Sequence, residues 1–334
     1  MNRISVVLDT DIGTDVDDAL CLLMALASPE IDLIAVTIVD GHVDQRAQIA
    51  ARLLGMAGRA DIPVYMGAQR PLAEGRGPTW FGHEGRGVLD MPYEGPVAQI
   101  HTLSASEFMV EASKKHPYHL VAIGPFTNVA LAFQLDPSLA QRLIHLTVMG
   151  GMVHPETYTA KWQQFFADTR ILPAHMDHNT ASDVRAALAV ATAGIDMTWV
   201  TAEITFCTPL NKRAIELFRS SDTHLGNAMA AMLSIWNDEW FHFIPQFPDY
   251  PSPFPEDAVA CLHDPLALAS LFPQQWMTLE KQSVRFAIEG HLFRIHPVTT
   301  SIDAYHQISV EVDTAAFETF YLERIETFLK ALSA

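Results

Sequence analysis

A mostly parallel β-sheet with helices on both faces is the fold class this sequence predicts, and three observations predict it. Short runs rich in Val, Ile and Leu recur, each run ends in Gly, Pro, Asp or Asn, and a longer segment of helical periodicity follows. Strands buried on both faces read as unbroken apolar runs, and their alternation with helices implies parallel crossovers. An open, Rossmann-like α/β core of this kind binds ligands at the carboxyl edge of its strands, so the loops leaving that edge carry the chemistry.

The first strand is Ser5 to Leu8, and the helix Asp18 to Ala27 follows it. That helix, in DDALCLLMALA, is apolar on every side and is expected to be buried. Leu33 to Val39 is the second strand, with the helix Asp44 to Met56 returning from it, and Pro63 to Met66 is a short third. A helix at Ser104 to Lys115 leads to the strand Leu120 to Ile123, and one at Asn128 to Gln134 leads to the strand Leu146 to Met149. The helix Asp183 to Thr192 precedes the strand Met197 to Val200. Two stretches break the alternation, Pro71 to Gly87 and Ile244 to Pro255. Both read as ordered rim loops or lids, because aromatic residues are too frequent there for a solvated tether. Open α/β sheets often exceed the usual domain size, so residues 1–334 are expected to form one domain.

At 49% hydrophobic and 18% charged residues, the chain has the composition of a globular protein with a sizeable core. Thirty-nine Asp plus Glu against 21 Lys plus Arg leave a net charge of −18, which would repel nucleic acid and anionic membranes. The three cysteines, Cys21, Cys207 and Cys261, show neither metal-type spacing nor an even count, so a reducing cytoplasm is expected. The N-terminal MNRISVVLDTD is too short in apolar residues for a signal peptide or membrane span.

The chemistry starts where the first strand runs into DTDIGTDVDDA, which sets Asp9, Asp11, Asp15, Asp17 and Asp18 close together. No Lys or Arg occurs between Arg3 and Arg46. Clustered carboxylates raise one another's pKa, and a bound cation is the simplest compensation. An all-oxygen ligand set selects a hard ion such as Ca²⁺ or Mg²⁺. Asp17 or Asp18 could instead cap the following helix, and Asp15 could occupy a solvated turn. An EF-hand is excluded, because Leu20 stands where a bidentate Glu is required.

Three later motifs should reach the same edge. In VAIGPFTNVALA, Thr127 could offer its carbonyl to a metal or, like Asn128, merely cap a helix. In TVMGGM, two glycines after a strand allow close backbone approach to a ligand. In CLHDPLALA, Asp264 before Pro265 reads as an N-cap, and the adjacent His263 could serve as a general acid. His175 and His178 in HMDH read as polar surface or loop residues. Trp236, Trp240 and His242 could stack on or protonate a ligand, although aromatic residues at helical spacing are more often core.

Taken in order, DTDIGTDVDDALCLLMAL, VAIGPFTNVALAF, TVMGGM, DHNTASDVRAA and LHDPLALA resemble the inosine-uridine preferring nucleoside hydrolase family along nearly the whole chain. The resemblance implies a calcium-dependent N-glycosidase of nucleoside salvage, built on an α/β core and assembled as a homodimer or homotetramer. It implies metal ligation by Asp11, Asp18, the Thr127 carbonyl and Asp264, with Asp11 also the general base. By the same likeness Asp17 and Asn179 contact sugar hydroxyls, Asp177 stands at the position of a sugar-binding Glu, and Met149 lies in the sugar pocket. His263 matches a residue that acts on the leaving base. The chain departs from the family where the acidic loop at Thr14 to Val16 is two residues longer, where His42 stands for the usual Asn after Gly41, and where Asp177 is one methylene shorter than Glu; by the resemblance His42 and Asp177 are substrate-binding positions, and both changes touch sugar recognition.

The resulting expectation is metal-dependent hydrolysis of ribonucleosides to ribose and free base. An oxocarbenium-like transition state needs anionic surroundings for the sugar, a deprotonated water and help for the departing base. Two alternatives stand beside it: a haloacid-dehalogenase-like Mg²⁺ phosphatase, whose Asp-x-Asp strand end this chain shares, and a non-catalytic protein that binds Ca²⁺ or a nucleoside. The lack of local basic residues disfavours the phosphatase.

Overall fold

The computed structural model describes residues 3–73, 80–241, 252–273, 276–298 and 305–333. In chain order the strands are β1 (Ile4–Thr10), β2 (Ile31–Ile38), β3 (Val64–Met66), β4 (Ile100–His101), β5 (His119–Ala122), β6 (His145–Met149), β7 (Met197–Val200), β8 (Pro209–Asn211), β9 (Ala258–Cys261), β10 (Met277–Glu289), β11 (Leu292–Pro297) and β12 (Tyr305–Val312). Ten of them form one sheet in the order β11-β10-β12-β7-β6-β5-β1-β2-β3-β4, and β8 pairs with β9 apart from it. From β12 to β4 every neighbouring pair is parallel, while β10 runs antiparallel to both β11 and β12.

The central strand shows why its sequence is an unbroken apolar run. Val6 and Leu8 pack into one core and Val7 into the other, on the opposite face of the sheet. Helices α1 (Asp17–Ala27), α2 (Val43–Met56), α3 (Ala105–Lys115) and α4 (Thr127–Leu135) match the sequence reading closely. Ser104 closes α3 with a capping box to Glu107, which fixes that boundary. Then come α5 (Leu139–Arg142), α6 (Ala160–Thr169), α7 (His178–Ser182), α8 (Val184–Ala191), α9 (Ala202–Thr205), α10 (Arg213–Ser220), α11 (His224–Trp236), α12 (His263–Ala269) and α13 (Thr314–Leu332). Residues of α1, α2, α11, α12 and α13 build the first core, and α3, α4 and α8 the second. The buried Tyr321 of α13 donates its hydroxyl to the Leu20 carbonyl of α1 over 3.2 Å, a contact between the two ends of the chain.

At the amino edge of the sheet, His119 and His145 face each other across β5 and β6, and His306 is buried in β12 against Phe286. Burial pushes all three imidazoles below their ordinary value. The native state therefore holds them neutral, while the unfolded chain takes up protons first as pH falls. The contribution of these three imidazoles to stability is expected to be level above about 6.5 and to be lost as pH drops below it. Melting curves across that range test this, and His306→Phe should flatten the acid side of the profile.

Candidate active site

Five aspartates meet at the carboxyl edge of the sheet. Leaving β1, the chain places Asp11, Asp15, Asp17 and Asp18 along the wall of a cavity of about 310 Å³, and Asp264 arrives from α12. Asp11, Asp17, Asp18 and Asp264 are all buried, and carboxylate oxygens of Asp17, Asp18 and Asp264 lie within 4.8 Å of one another. Burial, together with the neighbouring acids, holds the Asp17, Asp18 and Asp264 carboxyls well above the usual range. Asp18 accepts from the Thr10 hydroxyl, and Asp17 accepts from the Asp18 amide at 3.1 Å. Neither acid is an N-cap, a position held by Val16.

Asp264 is not an N-cap either. Helix α12 already begins at His263, so Asp264 lies inside its first turn, and its buried Oδ2 has no hydrogen-bond partner. A fully buried carboxylate oxygen without a donor requires one, and a cation beside Asp17 and Asp18 meets that requirement with hard oxygen ligands.

Asp9 and Asp15 behave differently. Asp9 points into the protein, where Oδ1 accepts from Thr37 at 2.6 Å and Asn128 at 2.8 Å; burial raises its carboxyl to about 7. Asp15 is not in a solvated turn but half-buried on the cavity wall, and withdrawal from water raises it also to about 7. The lengthened loop that carries it is tied down by three groups: Glu84 accepts from the Thr14 hydroxyl at 3.1 Å, His83 Nε2 contacts the Thr14 carbonyl at 2.8 Å, and Arg46 Nη2 donates to Thr14 Oγ1 at 3.2 Å.

Arg46 is the basic partner that local sequence did not reveal. Its side chain has no exposed surface and donates to the carbonyls of Asp11, Ile12 and Asp40, with its guanidinium 3.7 Å from the Asp40 carboxylate. Helix α2 thus carries a buried cation beneath the acidic loop, on the side away from the cavity.

On the sugar side of the expected site, Met149 at the end of β6 and Asn179 in α7 both line the cavity. Asn179 Nδ2 donates to the carbonyls of Ile123 at 2.7 Å and Met149 at 3.1 Å, which joins the ends of β5 and β6. Three expected residues are absent from the wall. Thr127 turns inward and donates its hydroxyl to Asp183 at 2.8 Å, while Ile123 takes the place on the wall. Asp177 caps α7 instead, accepting from the Gly151 amide at 2.8 Å and from Thr180. His42 follows the left-handed turn at Asp40 and Gly41, meets Trp80 at a tilt with ring centroids 4.3 Å apart, and borders a separate depression. Its neighbour Asp40 lies nearer the site, with a carboxylate oxygen within 4.8 Å of groups on Asp11 and His178.

His263 stands where the acidic floor meets an aromatic wall of Trp162, Phe206, Trp236, Trp240 and Phe254. Its Nδ1 contacts Thr205 Oγ1 at 2.7 Å and its ring meets Phe206 edge-on; burial pushes the imidazole down to about 3. Trp236 and Trp240 line the wall, Trp236 also packing against the core, and Phe81 stacks on Trp240 at 4.4 Å. His242 lies outside the described residues, as do 74–79 and 244–251 of the two rim loops. Contrary to its reading as a surface residue, His178 also lines the cavity.

An acid-floored cavity with an aromatic wall suits a sugar joined to a flat base. The family model described as inosine-uridine preferring nucleoside hydrolase matches residues 6–319. The chain belongs to that family. Uridine nucleosidase 1 of Arabidopsis thaliana is 29% identical over 292 residues, covering 85% of this chain and 78% of its own. The pyrimidine-specific ribonucleoside hydrolase RihA of Enterobacter sp. is 27% identical over 335 residues, covering 97% and 98%. Among solved structures, a plant nucleoside hydrolase, PpNRh1, superposes with a TM-score of 0.76 at 25% identity over 97% of this chain and 99% of its own. A purine-preferring ribonucleoside hydrolase from Gardnerella vaginalis gives 0.77 at 23% identity over 98% and 99%. This nucleoside hydrolase is therefore an N-glycosidase that hydrolyses ribonucleosides, and the phosphatase reading falls away. Among the described residues, no helix is long and apolar enough to cross a membrane.

Proposed function

We propose that this enzyme hydrolyses nucleosides with a Ca²⁺ ion held by Asp11, Asp18 and Asp264, with Asp17 beside it. The observation that carries the reading is the cluster of Asp17, Asp18 and Asp264 around the unpaired Asp264 Oδ2, with Asp11 on the same cavity wall. The Thr127 carbonyl, at the start of α4, is the candidate backbone ligand, since the Ile123 carbonyl already accepts from Asn179. When bound, the ion supplies a positive charge that orients the ribose hydroxyls and acidifies water.

The chain's own residues divide the remaining work. Asp11 takes the proton of the attacking water, Asp17 and Asn179 orient sugar hydroxyls, and Met149 packs on the ribose. Asp177 acts behind them by fixing the start of α7. The acidic floor favours positive charge growing on the sugar, and it disfavours nucleotides relative to uncharged nucleosides. Trp236 and Trp240 stack on the base, and His263 serves its departure. A cytoplasmic salvage role and a dimeric or tetrameric assembly complete the proposal; the three cysteines are free, as a reducing compartment requires.

Elemental analysis of active protein is expected to find calcium at about one ion per chain, with oxygen ligands at roughly 2.3 to 2.6 Å. Free ribose should appear from a panel of uridine, cytidine, inosine and adenosine, and chelation should stop its release. Fully active protein without metal would overturn the ligand assignment. Release of phosphate from nucleotides, with no ribose from nucleosides, would overturn the substrate.

A further inference from the structure

His178 carries chemistry that no role assigned above uses. Its Nε2 lies 3.6 Å from Asp11 Oδ2 and 3.3 Å from Ser182 Oγ. About a third of the side chain, 35%, remains accessible, and the residue borders the cavity. The separation from Asp11 is too long for a direct hydrogen bond. A water about 2.8 Å from each atom, seated beside the line that joins them, can bond to both.

The ring is also held. His178 is the first residue of α7, whose cap, Asp177, is bound to the Gly151 amide and to Thr180. The next residue, Asn179, is tied to the ends of β5 and β6. Backbone on either side of the imidazole is thereby fixed to the same sheet edge that carries Asp11. Ser182, one turn along the helix, contacts the ring nitrogen that faces Asp11.

We propose that His178 is a further catalytic residue, which holds the attacking water against Asp11 through a hydrogen bond at Nε2. The inference rests on the reading of Asp11 as the base. A water bound to one carboxylate oxygen swings about it, whereas a second fixed contact sets its line of approach to the sugar carbon. A misplacement of about 1 Å costs on the order of 10²-fold in rate, so one such contact has a measurable effect.

His178→Phe keeps a ring of similar size and removes both nitrogens. It is expected to lower kcat between about 10-fold and 10²-fold, with KM and metal content near those of the parent. Because attack rather than departure is impaired, uridine and a nitrophenyl riboside should lose rate equally. In methanol and water mixtures, the ratio of methyl riboside to ribose should shift in His178→Phe and return towards the parent in His178→Gln. Should the Phe variant not fold, His178→Ala with added imidazole supplies the same comparison, and recovered rate would support the proposal. Unchanged kcat, a loss confined to KM, or a loss confined to natural nucleosides would overturn it. Asp11→Asn in the same assays separates the two readings. If that variant keeps turnover, the base assignment fails; if it is inactive while His178→Phe is normal, only the role of His178 fails.

Discussion

Asp11→Asn is expected to lower kcat by at least about 10²-fold, the minimum for loss of a general base. The substitution keeps the shape of the side chain, and the backbone around it is anchored independently by the Arg46 guanidinium on the Asp11 and Ile12 carbonyls. The loop therefore keeps its path while one oxygen ligand and its charge are lost. Two effects combine, weaker metal binding and no proton acceptor, and they are separable. Titrating the variant with excess Ca²⁺ restores occupancy but not proton abstraction, so saturating metal should leave most of the deficit in place. A near-normal rate with metal bound would move the base to another of the clustered acids, with Asp17 and Asp18 the first to test.

The fold was legible where strands are buried on both faces. The six strands read from sequence overlap β1, β2, β3, β5, β6 and β7, because continuous apolar runs there answer to two cores at once. The antiparallel end of the sheet was not read. In β10 the buried Met277 and Val284 are separated by exposed or half-buried residues, all polar but Leu279, so the strand lacks the run that marks its parallel neighbours. Its signal was the hairpin turn at Gly290, whose φ of 64° suits glycine, between two stretches of alternating character. Helix α13 gave a weaker warning, since only Phe317, Tyr321, Ile325 and Leu329 are buried in its length. Their spacing of four is nevertheless the stripe of a helix that covers a core.

The site was legible where chemistry is local to one loop. Asp11, Asp17 and Asp18 are close in sequence, and their clustering follows from the strand end that precedes them. Partners from other elements were missed for one common reason: a side chain acting through space leaves no spacing pattern. Arg46 lies in a helix whose sequence resembles any amphipathic surface, yet it reaches back under the acidic loop. His178 follows Asp177 at a helix start, and only the capping geometry shows that its ring turns towards Asp11. Thr127 is the first residue of α4, and Ile123, just after β5, is the residue of that segment that lines the cavity.

His263 gives the second large effect. Thr205 Oγ1 lies 2.7 Å from Nδ1 and 3.1 Å from the Ala202 carbonyl; a Thr205 hydroxyl turned to Nδ1 would put the ring proton on Nε2. Burial holds the imidazole down to about 3, so at neutral pH the ring is neutral and serves the base through an N–H rather than as an imidazolium. His263→Ala should therefore slow natural nucleosides by about 10²-fold or more, because their leaving groups need a donor. A nitrophenyl riboside, whose leaving group is stable as an anion, should be slowed far less. The parent's rate on uridine should also show no loss attributable to imidazolium between mildly acidic and neutral pH, since the ring has already lost its extra proton throughout that range. Equal losses on both substrates would instead mean that truncating the ring disturbs the packing of Phe206 and Thr205, and would take His263 out of the chemistry while leaving the neighbouring metal site untouched.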